Sequence, residues 1–127
     1  MSINVKIDTK EKFVVIIPHD SELTAIMTED LAHMLRGYLQ KDIPHIILNM
    51  STVNNLDESG CEILANLQQE FYEKDCSFVI CELKKEVEEK LDKLELLEIL
   101  NVTPTESEAW DIVQMEEIER ELMQGED

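Results

Sequence analysis

Apolar and polar residues change rhythm several times along this chain, and each change marks an element. Ile3, Val5 and Ile7 alternate with Asn4, Lys6 and Asp8, the period of two expected of a half-buried edge strand. Thr9-Lys10-Glu11-Lys12 then forms a polar turn, and the unbroken apolar run from Phe13 to Ile17 predicts a second strand. Two strands so close in sequence pair most simply as an antiparallel hairpin. Pro18 stops the second strand, and Thr28-Glu29-Asp30 opens a helix with acids near its positive end. Leu31, Met34, Leu35, Tyr38 and Leu39 give that helix one apolar stripe, which Pro44 closes.

The remaining pattern alternates strand and helix. His45 to Met50 is a short isoleucine-rich run suited to a strand buried on both faces, and Ile63, Leu64, Ala65, Leu67 and Phe71 make the next helix apolar on one side. Ser77 to Leu83 reads as a fourth strand. A charged helix follows from Lys84 to about Leu94, with Val87, Leu91 and Leu94 facing inward. Leu97 to Val102 predicts a short fifth strand. In the last helix, from about residue 105, Thr105 and Glu108 have capping-box spacing. Ala109, Ile112, Met115, Ile118 and Leu122 drift around one side of it, so its first three turns are expected to dock on the sheet. The acidic tail 124–127 offers nothing to bury and is expected to fray. The fold class is therefore α/β: a mixed sheet of about five strands opening with an antiparallel hairpin, with parallel crossovers and helices mainly on one face. The whole chain, 1–127, reads as one domain.

The chemistry concentrates where the third strand meets its helix, in Asp57-Glu58-Ser59-Gly60. A strand-to-helix junction leaves backbone N–H groups unpaired, so a hydroxyl, carboxylate or phosphate can be received there. Asp57 and Ser59 are also ordinary capping residues, and local sequence does not separate the two roles.

Order of elements and motif together resemble the STAS domain, the fold of bacterial anti-sigma factor antagonists, from about Ile3 to Val113. In that family a strand leads into Asp-Ser-Ser-Gly or Asp-Thr-Ser-Gly before a helix, and the serine directly before the glycine is phosphorylated by a partner kinase. The resemblance implies Ser59 as that serine. It also implies a partner surface made by Asp57, Glu58, Gly60 and Glu62 with Ser21, Glu22 and Thr24, because the loop from Pro18 to Thr24 lies beside the motif in the family. Family sequences commonly read Gly-Glu-Leu-Asp in that loop, where this chain has Ser21-Glu22-Leu23-Thr24, and Glu58 replaces the usual Ser or Thr.

Two functions follow from the resemblance. One is a phosphorylation-controlled module binding a kinase-type anti-sigma factor or related serine kinase. The other is a constitutive STAS subunit of a signalling or transporter-associated complex that has lost the switch. Homo-oligomerisation stays open. A receiver domain would need an acidic pair after the first strand, where this chain has a hairpin partner instead.

Composition narrows the field further. The chain carries 29 acidic and 11 basic residues, net charge −18, which repels phosphate backbones and argues against nucleic-acid binding. The apolar runs are too short to span a bilayer and the amino-terminal segment is not signal-like, so a cytoplasmic location without membrane insertion is expected. Cys61, Cys76 and Cys81 read as buried thiols, the last two on one strand and facing opposite ways, and His19, His33 and His45 are scattered, so no metal or other cofactor is expected. With no phosphate loop and no nucleophile set at recognisable spacing, the chain is not expected to be an enzyme.

Overall fold

The structure, a computed structural model, describes residues 3–125. A five-stranded sheet has the order β1 (Val5–Thr9), β2 (Val14–Pro18), β4 (Ile46–Asn49), β6 (Phe78–Cys81), β7 (Val102–Thr103). β1 and β2 pair antiparallel, with the hairpin closed by the Lys10 N–H donating to the Phe13 carbonyl at 2.8 Å; every other pairing is parallel. A separate parallel pair joins β3 (Glu22–Leu23) to β5 (Asn55–Leu56). The helices are α1 (Ala25–Gly37, extended by a 3-10 turn to Gln40), α2 (Glu58–Glu73), α3 (Lys85–Lys93) and α4 (Glu106–Gly125).

The strand runs are continuously apolar because the sheet is covered twice. Val14, Ile16, Ile46, Leu48, Phe78 and Ile80 face the main core, which α1, α2 and α3 fill with Leu31, Leu35, Leu64, Leu67, Phe71, Val87 and Leu91. The alternate positions Phe13, Val15, Ile47, Val79 and Cys81 face Ala109 and Val113 of α4. Helices thus lie mainly on one face, and α4 alone covers the other. Trp110 anchors it, its ring edge-on to Phe13 with centroids 5.2 Å apart and its indole N–H donating to Glu106.

Several boundaries differ from the sequence-based expectations. The first helix starts at Ala25, three residues before Thr28: Thr24 is its N-cap, its hydroxyl accepting from the Met27 N–H, while Thr28 is buried and donates to the Thr24 carbonyl at 2.8 Å. Ile7, in the middle of the edge strand, is exposed. The fourth strand ends at Cys81, where Glu82 takes a left-handed φ of 60°, and Cys76 lies before the strand, half-buried. Leu97 to Leu100 is turn rather than strand because Leu96 and Leu97 fold back onto the Leu91 carbonyl at the end of α3. Thr105 accepts the Glu108 N–H as a capping residue should, and its own hydroxyl donates to the Glu108 carboxylate. The last helix runs to Gly125, so Gln124 and Gly125, expected to fray, are helical, and residues 126–127 of that expected tail lie outside the described residues.

The largest departure is the rotation of α4. Ala109 and Val113 dock, but Met115, Ile118 and Leu122 point away from the sheet. The second half of the helix is held by polar contacts instead. Arg120 donates to the Ser77 hydroxyl and to Glu117, each at 3.1 Å, and the Ser77 hydroxyl donates to Glu116 at 2.6 Å. His45 completes the network: its Nδ1 accepts the Ser77 N–H at 3.0 Å, which leaves the ring proton on Nε2, 3.1 Å from the Glu117 carboxylate.

Candidate functional site

Ser59 lies in the first turn of α2 and is exposed, as are Glu58 and Glu62. Asp57 stands at the N-cap position with extended backbone, yet its side chain makes no hydrogen bond to its own helix. Its carboxylate instead accepts the Ala25 N–H of α1 at 3.0 Å. With Thr24 accepting from Met27, the start of α1 is thus capped by two residues, one of them from a segment 32 positions away.

The loop carrying Ser21, Glu22 and Thr24 is bound to the motif through backbone. The Ser21 carbonyl accepts the N–H groups of Asn54 and Asn55 at 2.7 and 3.2 Å, the Leu23 carbonyl accepts that of Asp57 at 3.2 Å, and Glu22 and Leu23 sit in register with Asn55 and Leu56. Lys90 of α3 braces the same segment, its ammonium donating to the Leu56 carbonyl at 2.8 Å. The structure therefore brings Ser21, Glu22, Thr24, Asp57, Glu58, Ser59 and Glu62 to one end of the molecule. Of these, Ser21, Glu22, Thr24 and Asp57 are exposed like Ser59.

Gly60, expected with them on the partner surface, is buried. A Cβ there would stand 2.8 Å from Leu56 Cδ1 and 2.9 Å from Thr28 Oγ1. Glycine is needed so that α2 can approach the first turns of α1.

That close approach creates a shallow groove beside Ser59, lined by Ala25, Ile26, Glu29, Glu62, Ile63 and Asn66. Ile26 is 69% exposed on its rim. Its membership could not be read from a helix expected to open at Thr28, because that boundary left Ile26 in a loop. The groove is acidic and apolar at once. It suits a protein surface better than a small anionic ligand.

The cysteines lie away from this groove's rim and are poor nucleophiles. Burial pushes all three thiols up, and Cys81, with the charges of Glu106 and Glu82 adding to burial, is pushed up to about 12. No helix among the described residues is long and apolar enough to cross a membrane.

Comparison with known proteins agrees with this architecture. The STAS domain family matches residues 4–109. The chain belongs to the STAS domain family. Among solved structures, a Thermotoga maritima protein described as a candidate anti-sigma factor antagonist superposes with TM-score 0.77 at 21% identity, covering 87% of this chain and 94% of that one. The phosphorylated form of SpoIIAA, a Bacillus cell fate determinant, gives 0.64 at 19%, covering 87% and 99%. Murine Solute Carrier 26 family member A9, an anion transporter, gives 0.69 at 17%, with 85% of this STAS chain matching 18% of the transporter.

Proposed function

We propose that the protein is a cytoplasmic, non-enzymatic signalling module of the anti-sigma factor antagonist kind. In this reading it binds a kinase-type anti-sigma factor or related serine kinase through the Ser59 end and is released by phosphorylation of Ser59. The observation that supports this most is the placement of Ser59: an exposed hydroxyl in the first turn of α2, in an Asp-x-Ser-Gly context, beside the loop tied to it by the β3–β5 pair. SpoIIAA, which shares the fold, has been determined in a phosphorylated form. A phosphate would add about −1.5 to −2 charges. The start of α2 favours an anion locally, but Glu29 and Glu62 line the groove and Glu58 directly precedes Ser59, so a partner surface complementary to a neutral hydroxyl would be repelled.

A second reading has an observation of its own. Glu58 already sets a fixed negative charge beside Ser59, and Thr24 serves α1 as a cap, which makes a constitutive interaction subunit that has dispensed with the switch compatible with the same geometry. The similarity of the fold to a part of an anion transporter supports this reading.

Incubation with the cognate kinase and ATP separates the two. The switch requires one phosphate, mapped to Ser59 and lost in Ser59→Ala, with Ser59→Ala still binding and Ser59→Asp binding less. An unmodified Ser59 in the presence of a kinase active on another substrate, together with wild-type binding by Ser59→Asp, selects the constitutive subunit.

A further inference from the structure

The outer face of α4 carries an apolar stripe that none of the described residues covers. Met115 and Ile118 are each 56% exposed and Leu122 is 65% exposed; their spacing of three, four and seven residues sets them in one row directly opposite the docked Ala109 and Val113. Four of the eight large apolar side chains exposed among the described residues fall between Met115 and Met123, so this is a concentration and not scatter. The helix pays in solubility for keeping such a row, and its docking would be served by polar residues there.

The rim of the stripe identifies what fits it. Glu119 lies on one side, Glu121 on the other and Asp111 at its amino-terminal end, all exposed, while Arg120, the one basic residue of α4, is turned inward to Ser77 and Glu117. A second copy fits poorly: pairing two such helices would set Glu119 and Glu121 against their own kind between chains of net charge −18. An anionic lipid surface would be repelled by the same rim.

We propose that the outer face of α4 is a docking surface for an amphipathic helix of another protein, apolar along one stripe and flanked by Lys and Arg. Met115 gives the surface an adaptable amino-terminal end, and the acidic rim sets orientation and on-rate. Because α4 covers the sheet face opposite α1 and α2, this partner and one bound at Ser59 can be held at the same time.

The test uses the full chain and three fluorescent peptides of equal length: one with leucines at helical spacing between lysines, a scrambled version of it, and one with glutamates replacing the lysines. At about 0.15 M salt the patterned basic peptide should bind at least about tenfold more tightly than either control. Ile118→Ser/Leu122→Ser should remove that preference while melting within a few degrees of wild type, because both side chains are exposed. Equal binding of patterned and scrambled peptides, or undiminished binding by the double variant, overturns the proposal. So does a wild-type dimer in sedimentation that the double variant abolishes, which would assign the stripe to a second copy, or stripe-dependent association with anionic vesicles.

Discussion

The Asp57 carboxylate caps α1 and leaves its own helix without a side-chain cap: it accepts the Ala25 N–H at 3.0 Å across 32 positions of sequence. The residue that opens the Ser59 helix therefore also fixes where the neighbouring helix begins, and the groove between them depends on both.

Asp57→Ala should cost about 1 kcal/mol, the usual loss of a helix cap, and Asp57→Asn should cost less because an amide oxygen still accepts. Amide hydrogen exchange at Ala25 should quicken in Asp57→Ala well before exchange in β4 does. An unchanged urea midpoint and unchanged Ala25 protection would show that the Thr24 cap suffices alone.

Gly60→Ala should destabilise the fold. Overpacking against Leu56 and Thr28 costs about 1–3 kcal/mol, and the gain in helix propensity returns only about 1 kcal/mol. Thr28→Ala should recover part of the loss in the Gly60→Ala background, since it removes the hydroxyl 2.9 Å from the new methyl. Strictly additive losses in a double-mutant cycle would place the strain elsewhere.

His45 gives α4 docking a pH dependence. Burial holds its pKa below 6.5, with the Arg120 guanidinium adding to burial and the carboxylates of Glu117 and Glu116 opposing both. A depressed folded-state pKa on a base means the folded state binds the proton less readily. Stability is full above about pH 6.5 and is lost as pH falls toward the lowered folded value. Protonation also places a hydrogen on Nδ1, where the Ser77 N–H already points. Since acidification also relieves repulsion in a chain of net charge −18, the measurement is the difference in melting temperature between wild type and His45→Gln. Relative to the variant, wild type should lose stability as pH falls below about 6.5. Parallel curves for the two would remove His45 from the account.

Thiol labelling of the native protein should follow exposure. Cys76, half-buried, should react first, and the buried Cys61 and Cys81 should react only as the fold opens, Cys81 being held protonated by a pKa of about 12. Prompt modification of Cys81 under native conditions would contradict the packing of α4 over β6.

The alternating apolar runs determined the first four strands of the main sheet, the opening hairpin, the parallel crossovers and the position of Ser59 at a strand-to-helix junction, because side-chain period and run length depend only on local backbone geometry and on burial. Tertiary contacts decided the rest. Asp57 found its partner in α1, Gly60 proved a packing residue, and α1 began at Ala25, capped by Thr24, because the β3–β5 pair holds the preceding loop in place. The rotation of α4 was settled by His45, Ser77 and Arg120, which lie up to 75 positions apart and leave no periodic trace. A stripe of methionine, isoleucine and leucine has the same period whether it faces the sheet or the solvent, and only the polar network shows which way it turned.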